Sequence, residues 1–147
     1  MNDALRESAN AFSTRTGRIA PDVQDEQRMV IVVDDSDEVR DVLTMLLEGE
    51  GFRVLPVEDG ESALIMARRA RPALITLDIR LPGEDGAEVL RRLKSDPGTS
   101  DIPVIVLSGQ DNMGEIGESL GADGVLGKPF ELEDVQTLVR SLMQRVP

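Results

Sequence analysis

Four aliphatic runs in this chain break off at residues with charged or hydroxylic heads. MVIVV runs into Asp34 and Asp35, ALITLD ends in Asp78, PVIVLS in Ser108 and GVLGK in Lys128. Carboxylates crowded into one crevice repel, and some would hold protons unless a cation neutralises them. A hard divalent ion does so well: magnesium takes one or two carboxylates, keeps several waters and leaves positions for phosphate oxygens. An aspartate carboxylate is a competent nucleophile toward phosphorus, and phosphoryl transfer needs positioning and charge neutralisation more than acid-base help. With Mg²⁺ on one side, the Lys128 amine on the other and a hydrogen bond from Ser108, the oxygens of a phosphoryl group would be balanced.

Each residue also has a plainer use. Asp35 or Ser36 would cap a following helix, with Asp37 and Glu38 favouring its positive end. Asp78 in LDIRLPGEDG would form a turn, Ser108 before Gly109 would be a loop hydroxyl and Lys128 before Pro129 a solvated amine. Position separates the two readings, because only a shared site requires all these heads at one edge of the molecule.

Composition narrows the chemistry. The chain has 147 residues, 40% of them apolar, which suits one domain with one core. It contains no Cys and no His, so thiol nucleophiles, imidazole bases, disulfides and His- or Cys-based zinc sites are excluded. A net charge of -12 opposes direct binding to nucleic acid or to an anionic membrane, since phosphate contacts need clustered Lys and Arg. No apolar run approaches the roughly 20 residues of a membrane span, and the start lacks a basic-then-apolar leader. The expected location is cytoplasmic.

The elements that must position these residues follow from periodicity. From residue 29 onward MVIVV, RVLPV, ALITLD, PVIVLS and GVLGK read as strands, continuously apolar like parallel strands covered on both faces. Between the first two, Val39, Val42, Leu43, Leu46 and Leu47 recur at helical spacing, closed by Gly49 and Gly51. Further helices are expected over residues 61 to 70, ending before Pro72; 87 to 94, ending at the turn of Asp96, Pro97 and Gly98; and 131 to 145. Residues 112 to 120 form the weak fourth helix, because Gly114 and Gly117 each cost about 1 kcal/mol relative to Ala. Five strand-helix units with right-handed crossovers predict an α/β fold: a doubly wound five-stranded parallel sheet, strand order 2-1-3-4-5, helices on both faces and the ligand site at the carboxyl ends of the strands. Residues 1 to 28 stand outside the pattern as a polar leader expected to be poorly ordered, with a weak apolar spacing in Leu5, Ala9 and Phe12; residues 29 to 147 make the domain.

VVDDS, LDIRLPGEDG, VIVLSG and GADGVLGKPF, in this order and at these separations, resemble the receiver domain of two-component response regulators, a flavodoxin-like fold. The resemblance covers about residues 29 to 146. It implies a phosphorelay role in which a sensor histidine kinase or a histidine phosphotransfer protein donates a phosphoryl group to Asp78. By the same matching Asp34 and Asp35 hold Mg²⁺, with the Asp78 side chain or the Ile79 backbone contributing. Ser108 is then the switch hydroxyl, Lys128 contacts the phosphoryl group, and Lys128-Pro129 matches the family's cis peptide. The resemblance implies a domain that regulates a downstream target protein and is not an enzyme in its own right, beyond catalysing its own phosphorylation and dephosphorylation. The family's usual partner or homodimer surface is the face of the fourth helix, fifth strand and fifth helix.

The chain departs from the family at three points. Val125 stands where Tyr, Phe or His usually moves with the switch hydroxyl. Arg80 and Gln110 occupy positions that tune how long the phosphoryl group survives, and Arg80 is expected over the site mouth or as a solvated surface charge. No output domain follows the last helix, so a stand-alone switch or relay is expected. A phosphohydrolase of the haloacid-dehalogenase type is the enzymatic alternative, with Asp35, Ser36 and Asp37 as its Asp-x-Asp element. Against it, no later strand ends in an acidic pair and LDIRLPGEDG would have no role. A receiver fold that binds partners without being phosphorylated is the third reading.

Overall fold

The computed structural model describes residues 28–81, 83–109 and 121–144. Five parallel strands form the central sheet: β1 (Met29–Val33), β2 (Arg53–Val57), β3 (Leu74–Asp78), β6 (Val104–Ser108) and β7 (Gly124–Gly127), in the spatial order β2-β1-β3-β6-β7. This is the expected order 2-1-3-4-5 once a small antiparallel pair, β4 (Arg80–Leu81) and β5 (Glu84–Asp85), is set aside. That pair was not anticipated. The helices are α1 (Asp37–Gly49), α2 (Gly60–Ala70), α3 (Gly86–Ser95) and α4 (Leu132–Gln144). The expected helix over residues 112 to 120, Gln110, and residues 1 to 27 lie outside the described residues, as does that part of the expected dimer face.

The continuous apolar runs have a simple cause. On β1, Ile31 and Val33 face one helical layer while Val30 and Val32 face the other, so every position needs an apolar side chain. The first layer is α2 and α3, whose Ala63, Ala67, Val89, Leu90 and Leu93 pack on Ile75, Leu77, Val104 and Val106. The second is α1 and α4, whose Leu43, Leu47, Val135, Val139 and Leu142 pack on Leu74, Ile105 and Leu107. Truncating a wholly buried residue such as Leu43 or Leu90 to Ala would cost about 2–5 kcal/mol. Strand β2 is different. It is the sheet edge, its residues are only partly covered, and it tolerates Pro56, which would break a ladder further in.

Local chemistry fixes the element ends that matter for the site. The side chains of Ser36, Asp59 and Asp85 each accept a backbone N–H in the first turn of α1, α2 and α3. The cap of α1 is thus Ser36, which leaves Asp35 free of that duty. Gly86 opens α3 where a Cβ would stand 2.5 Å from the Ile79 backbone, so only glycine lets the loop after β3 close against the sheet.

Candidate functional site

The parallel register carries Asp34, Asp78, Ser108 and Lys128 to one edge of the sheet. Strand β1 pairs with β3 from Val30–Leu74 to Val33–Leu77, so Asp34 emerges beside Asp78. Asp78 sits opposite Leu107, and Ser108 sits opposite Gly127, the residue before Lys128. Ser36 does cap α1 and the Asp78 carboxylate does accept the Arg80 N–H two residues on, yet neither use requires that one edge gather all four heads.

Asp34 is 1% exposed, and its carboxylate accepts the Ser36 N–H at 2.9 Å through Oδ1 and Lys128 Nζ at 3.0 Å through Oδ2. Asp78 is also buried; its Oδ1 accepts the Arg80 N–H at 3.0 Å and its Oδ2 accepts Lys128 Nζ at 3.2 Å. One ammonium thus bridges two buried carboxylates from neighbouring strands. Asp35 points to solvent at the same mouth, and one carboxylate oxygen from each of Asp34, Asp35 and Asp78 lies within 4.8 Å of the others.

The electrostatics follow. Burial pushes the Asp78 carboxyl above its ordinary range; the Arg80 N–H opposes this, the Asp34 charge adds to it and the Lys128 ammonium works against it. Burial pulls on Lys128 in the opposite sense, but Asp34 and Asp78 together outweigh it, so the ammonium is held above its ordinary value. The site therefore carries a retained cation facing a carboxylate that is reluctant to ionise.

Three oxygen donors in reach of one another, with no thiol or imidazole anywhere in the chain, fit a hard divalent cation of the magnesium kind. The Ile79 carbonyl accepts the Gly86 N–H at 2.9 Å and keeps one lone pair. Ser108 is buried at the end of β6, and its carbonyl accepts the Lys128 N–H at 2.9 Å, which ties the hydroxyl-bearing residue to the lysine loop. Lys128-Pro129 is cis, as the resemblance implied. Val125 sits half-buried in β7 opposite Val106. Arg80 is exposed in the small hairpin, where its backbone stands opposite Asp85 in the strand register.

Two contributors escaped sequence reasoning. Arg40, on α1, donates to the Asp34 carbonyl at 2.6 Å and pairs with Asp37. The helical spacing from Asp37 to Arg40 was readable as an ion pair, but the reach to Asp34 was not. Glu84 accepts the Gly60 N–H at 2.7 Å, which ties the β4–β5 hairpin to the start of α2. Nothing in the sequence signals that contact, which spans 24 residues.

Comparison with known proteins agrees with this geometry. Residues 30–140 match the family described as the response regulator receiver domain. The chain is 35% identical over 121 residues to the DNA-binding response regulator MtrA of Mycolicibacterium smegmatis, covering 81% of this chain and 52% of that one. It is 39% identical over 118 residues to the response regulator MprA of Mycobacterium leprae, covering 79% and 51%. The chain thus spans about half the length of these relatives. Among solved structures, the receiver domain of a Francisella response regulator aligns with a TM-score of 0.74 at 28% identity, covering 82% of this chain and 99% of that one. The chemotaxis response regulator CheY4 of Vibrio cholerae aligns at 0.70 with 29% identity, covering 80% and 98%.

Proposed function

This chain belongs to the response regulator receiver family, and on that premise we propose that Asp78 accepts a phosphoryl group from a phosphohistidine on a sensor kinase or phosphotransfer protein. The observation that carries the reading is the Lys128 ammonium shared between buried Asp34 and Asp78 at the strand ends. One Asp78 oxygen forms the new bond to phosphorus while the P–N bond to the donor histidine breaks, and the imidazole nitrogen leaves with the bonding pair.

The chain's own groups have distinct tasks. The Arg80 N–H fixes one Asp78 oxygen and so orients the carboxylate. Lys128, already within hydrogen-bond reach of Asp78, balances the charge of the incoming oxygens. Ser108 supplies the hydroxyl that senses the phosphoryl group from the next strand, and Asp34, Asp35 and Asp78, with the free lone pair of Ile79, would hold Mg²⁺. When bound, that cation supplies the charge neutralisation that lets the carboxylates and the phosphoryl oxygens share one pocket. Arg80 and Gln110 flank the mouth in sequence and would set the lifetime of the acyl phosphate. Val125 has no long rotor to report the switch, so the readout falls to the backbone around Ser108 and Lys128, where the Lys128 N–H already donates to the Ser108 carbonyl. A downstream protein reads the result.

The test is incubation with a small phosphodonor and Mg²⁺ followed by intact mass spectrometry. One phosphoryl group is expected on the parent and none on Asp78→Asn, without continuing turnover of a phosphate ester. Labelling of Asp78→Asn to the same extent, or steady ester hydrolysis in place of stoichiometric labelling, would overturn the assignment.

A further inference from the structure

An apolar groove of about 310 Å³ runs between α1 and α4, lined by Val42, Met45, Leu46, Leu132 and the edge residues Glu50 and Gln136. Its floor holds three of the four large exposed apolar side chains among the described residues: Val42 at 43%, Met45 at 74% and Leu132 at 54%. Val42 also belongs to a second hollow with Pro129 and Phe130 that reaches Lys128, so the apolar path leads from the helix ends to the pocket. Exposed apolar groups gathered in one groove cost solvation and mark a surface that something covers.

The chain itself brings a fitting segment to this place. Residue 28 is where the described structure begins, and its side chain is anchored at the groove's end: Arg28 donates to the Glu50 carbonyl at 3.0 Å, and its guanidinium lies 5.0 Å from the centre of the Phe52 ring. Gly51, at φ +95°, leaves the room for it. The segment that precedes Arg28 therefore starts beside Glu50, a lining residue of the groove. From residue 12 to residue 28 an extended chain spans up to about 50 Å, more than twice the roughly 20 Å length of a helix the size of α1.

Its chemistry is complementary. Leu5, Ala9 and Phe12 recur at helical spacing, and the other two phenylalanines, Phe52 and Phe130, are packed in the helical layer of α1 and α4. The first 18 residues carry Arg6, Arg15 and Arg18 against Asp3 and Glu7, while Glu38, Asp41 and Glu48 stand exposed along α1. We propose that this segment is the groove's occupant: it folds back from Arg28 and lays Leu5, Ala9 and Phe12 on Val42, Met45 and Leu132, with its arginines toward the acidic face of α1. Bound there, it covers the apolar path that leads to Lys128 and competes with any partner that approaches the pocket across α1.

The absence of cysteine makes the test clean. In the full chain, the pair Phe12→Cys and Met45→Cys is compared with Phe12→Cys and Ile65→Cys, since Ile65 is also exposed but lies on α2, across the sheet. Both target side chains are substantially exposed, so neither substitution opens the core. Under a mild oxidant the groove pair is expected to close a disulfide within one chain about tenfold faster than the control pair, as a raised local concentration requires. Adding Leu5→Asp to the groove pair is expected to bring its rate down to the control's. Equal rates in the two pairs would overturn the proposal, and so would a groove-pair product that is a cross-linked dimer, which would make a second copy the occupant. No phosphoryl group is involved, so the result is independent of the fate of Asp78.

Discussion

The Arg40 guanidinium donates to the main-chain carbonyl of Asp34 at 2.6 Å from one turn inside α1, and its other nitrogen pairs with Asp37. A side chain of the helix thereby grips the backbone of the loop whose carboxylates line the pocket. The Arg40 side chain is only 14% exposed, so water does not readily replace it.

Arg40→Ala is accordingly expected to destabilise the metal-free protein by about 1.5–3 kcal/mol, the range of a hydrogen bond with a charged partner. Arg40→Lys should recover only part of this, because an ammonium cannot fork to both acceptors as a guanidinium does. Urea unfolding of the three proteins in the presence of a chelator measures the order, and a lysine variant as stable as the parent would show that charge alone is at work.

Lys128 is the second lever. Its removal leaves Asp34 and Asp78 buried side by side with no cation between them, and both are almost inaccessible to water. Lys128→Ala should cost about 3 kcal/mol without divalent ions, because breaking a buried pair strands the remaining charge. Since Asp34, Asp35 and Asp78 would hold Mg²⁺, millimolar Mg²⁺ should stabilise this variant more than the parent. Denaturant melts with and without Mg²⁺ give both numbers, and an equal Mg²⁺ response would argue that the lysine and the ion do not share these ligands.

Asp78 carries the pH dependence. Its carboxyl is raised above the ordinary range, chiefly by burial, so the folded protein binds that proton more tightly than the unfolded chain. The resulting penalty is absent below the ordinary aspartate range, grows as pH rises from that range through the raised value and is full above it. Metal-free Asp78→Asn should therefore be more stable than the parent at neutral pH, with the difference shrinking to nothing in acid. Stability measured across the acid range in the presence of a chelator would show this, and a constant offset would assign the effect to packing.

The sequence made the sheet legible because its inner strands are covered on both sides: apart from Thr76, β1, β3 and β6 carry only apolar side chains up to their last residues. The polar heads at those ends were visible for the same reason, as interruptions of a strong pattern. Two-residue strands such as Arg80–Leu81 and Glu84–Asp85 have no period to read, so the hairpin that seats Arg80 was hidden. Gly86 and Glu84 act through contacts with Ile79 and Gly60, and proximity of that kind exists only once the chain has folded. The relation of Arg28 to Phe52 was hidden too, because a residue grouped with the polar leader gives no sign that it stacks on the domain.

Thr76 shows where the core itself is imperfect. It lies in β3 between Val32 on β1 and Ile105 on β6, two residues before Asp78 and 1% exposed, and its hydroxyl has no hydrogen-bond partner among the described residues. A buried hydroxyl without a partner forfeits its hydration for nothing, at a cost of about 1–3 kcal/mol. Valine keeps the branched shape and replaces the hydroxyl by a methyl group. Thr76→Val should therefore stabilise the protein by about 1 kcal/mol, whereas Thr76→Ser, which keeps the hydroxyl and loses the methyl, should destabilise it by a similar amount. Chemical denaturation of both variants decides the matter: a valine variant less stable than the parent would mean that the Thr76 hydroxyl is satisfied in solution.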